Sequence, residues 1–120
     1  MAKKILIVED EPDILSLTII RLRTSGYEIL TAKDGEEALE VLKTGKPDLI
    51  LLDMLLPKIR GDVICRKLKS DPRTRDIPII IFTASVVRIT EKIMEMGADA
   101  YVLKPFEPED LLEKIRKLIG

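Results

Sequence analysis

The sequence predicts one α/β domain, a doubly wound five-stranded parallel sheet with five helices on its two faces. Three observations carry this. The runs "ILIV" (5–8), "LILL" (49–52) and "IIIF" (79–82) are short, apolar and non-alternating, which suits parallel strands covered on both sides. Segments with apolar residues three and four apart separate them, the spacing of one helix face. Strand and helix patterns alternate five times within 120 residues. That length fits one domain with its own core, so the whole of 1–120 is read as a single unit.

The elements follow in order. The first strand is 5–8. Pro12 comes next, after acids that suit a helix N-terminus, and the helix runs to about Ser25, with Gly26 as its stop. "EILTA" (28–32) has polar flanks and reads as an edge strand. Over 36–43, Ala38, Leu39, Val41 and Leu42 share one side, followed by Gly45 and Pro47. After the strand at 49–52, Val63, Ile64, Cys65 and Leu68 mark a helix over 62–69, and "SDPRTRD" is the loop behind it. After 79–82, Val86, Ile89, Ile93 and Met96 form the stripe of a helix over 86–96, ended by Gly97. "YVL" (101–103) is the fifth strand. The last helix, 109–119, places Leu111, Leu112, Ile115, Leu118 and Ile119 opposite Glu113, Lys114, Arg116 and Lys117. Right-handed crossovers leave few ways to join these parts.

Composition excludes several functions. Twenty basic residues balance 21 acidic ones, so no global field draws the chain to nucleic acid or an anionic membrane. Cys65 is the single cysteine, which rules out an internal disulfide and reads as a small core residue. The N-terminal apolar run is too short for a signal peptide and no run reaches the length of a membrane span, so the expected location is the cytoplasm. Histidine is absent, which excludes a histidine phosphodonor, a histidine-ligated metal enzyme and a Ser-His hydrolase. Asn and Gln are absent too, a bias of heat-adapted or designed proteins.

Sites in open parallel sheets form beyond the C-terminal strand ends. Glu9, Asp10 and Glu11 follow the first strand, Asp53 the third, Thr83, Ala84 and Ser85 the fourth, and Lys104 the fifth. Two carboxylates about 5 Å apart at an effective dielectric of 20 repel by roughly 3 kcal/mol. A proton or a cation must relieve that. Oxygen donors without His or Cys favour a hard ion such as Mg²⁺. Glu11 is assigned to the first helix turn. Asp53 alone would read as a loop acid; its weight comes from Asp10, Thr83 and Lys104 at separate strand ends.

These residues resemble the receiver domain of two-component response regulators, over the whole chain. "ILIVEDE" is similar to the family's first strand and acidic pair, Glu9 and Asp10. "PDLILLDMLLP" is similar to its third strand, with Asp53 as phosphoacceptor and Pro57 beyond it; Gly61 matches the glycine of the following turn. "FTA" supplies the hydroxyl of Thr83, and "GADAYVLKPF" the switch aromatic Tyr101 and Lys104. The resemblance implies a flavodoxin-like strand order 2-1-3-4-5. It implies that Asp53 takes a phosphoryl group from a sensor histidine kinase, a phosphotransfer protein or a small donor. Mg²⁺ would be held by Asp10, Asp53 and the Leu55 carbonyl, with Glu9 direct or through water. Lys104, the Thr83 hydroxyl and the Ala84 N–H would bind the phosphoryl oxygens. Thr83 and Tyr101 would then shift the face made by the fourth helix, fifth strand and fifth helix, which engages a downstream target or a linked output domain. The chain would be a signalling phosphoacceptor rather than an enzyme on a separate substrate, monomeric or dimerising on phosphorylation, without direct contact to nucleic acid or membrane.

Departures from the family pattern carry expectations of their own. The segment 83–97 is about one residue shorter than in many relatives. Arg60 stands where an acid or amide is usual and is read as facing solvent. Leu55 and Ser85 cannot orient a hydrolytic water as an acid or amide would, so self-dephosphorylation is expected to be slow. A receiver that is never phosphorylated usually lacks an acid or the lysine, and this chain has both. A flavodoxin-like FMN carrier needs a phosphate loop where "EDE" stands, and a metal-dependent phosphatase would not leave the phosphoaspartate as its output.

Overall fold

The computed structural model describes residues 2–54, 56, 59–83, 95–104 and 107–120. Five parallel strands form one sheet in the order β2-β1-β3-β4-β5. They are β1 (Lys4–Val8), β2 (Glu28–Ala32), β3 (Leu49–Asp53), β4 (Ile79–Thr83) and β5 (Ala100–Leu103). Four helices are described: α1 (Pro12–Thr24), α2 (Gly35–Thr44), α3 (Gly61–Ser70) and α4 (Pro108–Ile119). The expected count was five. Of the helix expected over 86–96 only Glu95 and Met96 are described, both helical, and the rest lies outside the described residues.

Among the described residues strand β2 pairs only with β1, in the register Leu6↔Leu30 and Val8↔Ala32, which is the edge position its polar flanks predicted. The central strands β3 and β4 are buried along their whole length. Alternate residues separate two cores. Leu6, Val8, Ile50, Leu52, Ile79 and Ile81 face α2 and α3, packing on Ala38, Ile64, Cys65 and Leu68. Ile5, Ile7, Leu49, Leu51, Ile80 and Phe82 face α1 and α4, packing on Leu22, Leu111, Leu112 and Ile115. Each such side chain stabilises the fold by about 1.5–3 kcal/mol through burial.

The helix ends follow their local chemistry. Asp34 caps α2 by accepting the Glu37 N–H at 2.8 Å, which satisfies a donor with no helical partner. Gly26 takes φ +95° after α1, a conformation that lets the chain turn into β2 without a Cβ clash. Glu11 holds the N-cap position of α1, but its side chain makes no cap bond. Its expected part in the first turn is therefore limited to its charge beside the helix dipole.

Candidate functional site

The parallel arrangement brings the C-terminal ends of β1, β3, β4 and β5 to one edge. Strand β1 is followed by Glu9, whose N–H donates to the Ala32 carbonyl at 3.0 Å. Its side chain is 0% exposed, and its Oε2 accepts the Asp10 N–H at 3.0 Å. Asp10 is exposed, while Asp53, the last residue of β3, is buried. Oxygen atoms of Glu9, Asp10 and Asp53 lie within 4.8 Å of one another. This is the separation at which like charges repel by roughly 3 kcal/mol near a protein surface.

Lys104 relieves part of that repulsion. Its backbone N–H donates to the Thr83 carbonyl at 2.8 Å, which fixes where the side chain leaves β5. The ammonium then donates to Glu9 Oε1 at 2.9 Å and to Asp53 Oδ2 at 3.2 Å. It also stands 4.7 Å above the centre of the Phe82 ring. Burial lowers the Lys104 pKa, but the hydrogen bond to Glu9 and the charges of Asp53 and Glu9 outweigh it, and the net shift is upward. Glu9 is pushed up to about 7, first by burial and then by its hydrogen bond to Asp53, against the opposing pull of Lys104. An ion pair usually lowers a carboxyl pKa. Here one ammonium serves two buried carboxylates, and the deficit falls on Glu9.

Strand alternation sorts the remaining candidates. Asp53 is in register with Phe82, on the face of α1 and α4. Thr83 is buried one residue further along β4, on the opposite face with Ile81. Tyr101 is in register with Ile81 and packs partly buried against that same core. Glu9, Asp10, Asp53 and Lys104 are thus brought together, with Thr83 at the adjoining strand end and Tyr101 below it. Leu55 and Ala84 lie outside the described residues, as do Pro57 and Ser85. Arg60 is exposed and pairs with Asp62 at 3.3 Å. Sequence reasoning missed Phe82, because nothing in "IIIF" reveals that its ring lies beneath a lysine 22 positions on; only the β4–β5 register does.

The donor set suits a hard divalent cation: oxygen ligands only, two of the three carboxylates buried, and one ammonium too few to balance them. Among the described residues no helix is long and apolar enough to cross a membrane.

This is an open parallel α/β domain with an acid cluster facing a lysine at the C-terminal strand ends, the place where such sheets bind ligands. Comparison with known proteins narrows the class. A family model described as the response regulator receiver domain matches residues 5–116. The alkaline phosphatase synthesis transcriptional regulatory protein PhoP of Bacillus subtilis is 41% identical over 120 residues, 99% of this chain and 49% of PhoP. The DNA-binding dual master transcriptional regulator RpaA of Synechocystis is 41% identical over 118 residues, 97% of this chain and 48% of RpaA. The chain spans about half the length of these curated relatives. A response regulator from Chloroflexus aurantiacus matches in structure with a TM-score of 0.95 at 33% identity, covering 99% of this chain and 98% of that one. The receiver domain of the sensor histidine kinase PA1611 from Pseudomonas aeruginosa, solved with magnesium coordinated in its active site cleft, matches with a TM-score of 0.91 at 30% identity, covering 100% and 99%.

The chain belongs to the response regulator receiver domain family. It is a receiver module of the kind that response regulators carry.

Proposed function

We propose that Asp53 is the phosphoacceptor and that Mg²⁺ is the cation of its site. One observation carries the reading: a single lysine ammonium spans Glu9 and Asp53 within a cluster of three carboxylates at the strand ends. An Asp53 oxygen attacks phosphorus, the P–N bond to a donor imidazole breaks, and the imidazole leaves with the bond's electron pair and takes up a proton. With acetyl phosphate the broken bond is P–O and acetate leaves. A carboxylate and a phosphoryl group repel each other, so catalysis is positioning and charge neutralisation. Glu9, Asp10 and Asp53 would hold Mg²⁺, with the Leu55 carbonyl as the further ligand that the family implies. When bound, the ion supplies the charge that offsets this repulsion. Lys104 holds a phosphoryl oxygen, and the Thr83 hydroxyl and Ala84 N–H hold the others. The chain catalyses its own phosphorylation and a slow dephosphorylation, with no separate substrate to turn over.

Phosphorylation then acts as a switch. Thr83 moves toward the phosphoryl group, and Tyr101, on the same sheet face, takes the space behind it. The face of segment 86–96, β5 and α4 changes, and a protein target or a linked output domain reads the change. Converting an equilibrium from 1:99 to 99:1 takes about 5.5 kcal/mol of differential stabilisation, within reach of a few charge-assisted hydrogen bonds.

The test is intact mass after incubation with acetyl phosphate, with and without Mg²⁺, beside Asp53→Ala. The expected result is one phosphoryl group, dependent on both Mg²⁺ and Asp53, that persists for minutes or longer. No gain under any condition would leave a constitutive docking module. A half-life of seconds would overturn the slow self-dephosphorylation.

A further inference from the structure

Phe82 lies in β4 between the two halves of the site. Its backbone is in register with Asp53 on one side and Val102 on the other. Its side chain is 0% exposed, inside the core that faces α1 and α4. Packing alone would explain an apolar residue here, and Ile79, Ile80 and Ile81 precede it in the strand. The aromatic ring does something that an isoleucine cannot. The Lys104 ammonium stands over it, 4.7 Å from the centroid, well inside the distance at which a ring face attracts a cation. Water is largely excluded, since the Lys104 side chain is 17% exposed and its two carboxylate partners are 0% and 6% exposed. Cation–ring attraction is strongest when both groups are desolvated.

Among the described residues the ammonium thus has three supports: Glu9 Oε1, Asp53 Oδ2 and the ring. The two carboxylates are also members of the acid cluster, so any cation bound there competes with Lys104 for their oxygens. The ring offers no oxygen to such a cation. It also presents no acceptor that would hold the ammonium back from an incoming phosphoryl oxygen. We infer that Phe82 is a positioning residue, an aromatic seat that keeps the Lys104 ammonium beside Asp53 when its carboxylate contacts are weakened. It touches neither phosphoryl group nor cation and acts only through Lys104.

This rests on the reading of Asp53 as phosphoacceptor, so the test has one readout that needs no phosphorylation. In the unphosphorylated protein the ring current should move the Lys104 ε-methylene protons upfield, and Phe82→Leu should abolish that shift. The second readout is the rate of phosphorylation by acetyl phosphate, with Phe82 replaced by mono-, di- and trifluorinated phenylalanine. Fluorination drains the ring face of negative potential at nearly constant size, so these variants fold even if Phe82→Leu does not. The logarithm of the rate should fall steadily along the series, to on the order of tenfold at the trifluoro member, with unchanged melting temperature. A flat series would reduce Phe82 to core packing, and so would an absent upfield shift. If the unmodified chain accepts no phosphoryl group, the proposed function fails, and the proton shift alone decides whether the seat exists.

Discussion

Glu9 shows how burial and charge set opposite demands on one residue. Its carboxyl is raised from 4.5 to about 7, by burial first and by Asp53 next. A raised carboxyl pKa means that the fold prefers the protonated form. The contribution is favourable below the unfolded value and is lost as pH rises through the folded value. In EDTA, stability should therefore decline from about pH 4.5 to pH 7 and above, by at most about 3 kcal/mol from this group. Glu9→Gln should flatten that slope in urea titrations at a series of pH values; an unchanged slope would locate the effect elsewhere. Cys65 is a simpler case. Burial pushes its thiol up to about 11, with the Lys69 charge opposing, and its Sγ–H donates to the Met96 carbonyl at 3.5 Å. At pH 8 the native thiol should alkylate about 100-fold more slowly than in the denatured chain, since a shift of two units removes that share of thiolate. Comparable rates in the two states would contradict its burial.

At the scale of elements, two glycines govern how the β3–α3 connection closes on the site. Gly61 opens α3, and its N–H donates to the Met54 carbonyl at 3.1 Å. A Cβ there would meet the Asp53 carbonyl at 2.3 Å and the Met54 Cα at 2.9 Å, both backbone atoms that cannot swing aside. Gly35 opens α2, where a Cβ would meet Ile64 Cδ1 at 2.5 Å and Ile59 Cβ at 2.8 Å, and one of these is the end of a flexible side chain. Overpacking of this kind costs about 1–3 kcal/mol. Gly61→Ala should destabilise the fold by that amount and also slow phosphorylation, because the displaced backbone carries Asp53. Gly35→Ala should lower the melting temperature with little effect on the rate. Equal rate losses in both would show that general destabilisation, and not the placement of Asp53, is responsible. At the opposite sheet edge Lys69 of α3 ties three segments together. It donates to the carbonyls of Arg75 and Ile77 and to Asp99 Oδ2, at 3.2, 2.9 and 2.9 Å. Asp99 Oδ2 also accepts the Ile79 N–H at 2.9 Å, so the entries to β4 and β5 are held by one ammonium and one carboxylate.

For the whole molecule, the unbalanced acids make folding and cation binding interdependent. A ligand that binds only the folded state stabilises it by about 2.7 kcal/mol at 100 times its dissociation constant. Saturating Mg²⁺ at pH 8 should therefore raise the melting temperature by on the order of 10 °C, and Asp53→Ala should reduce that rise sharply. An equal rise in the variant would mean that Mg²⁺ binds elsewhere. Much of this architecture is legible in the residues. Continuous apolar runs such as 49–52 announce strands buried on both faces, because a strand covered by helices on both sides has no polar face. The amphipathic pattern of α4 is equally clear, with Leu111, Leu112 and Ile115 buried. The acids are legible because nothing in core packing calls for them at the strand ends.

The chain by itself determined the parallel α/β class and that Glu9, Asp10, Asp53, Thr83 and Lys104 stand at strand ends, because hydrophobic period and strand-end chemistry are local properties. Only the tertiary structure decided how those groups meet. That Lys104 spans Glu9 and Asp53 rather than reaching into solvent, that Glu9 carries the raised pKa, that Phe82 lies beneath the ammonium, and that Gly61 abuts the Asp53 carbonyl are all consequences of register. Register aligns residues tens of positions apart to within a few ångströms, and electrostatic and steric energies are set at that distance.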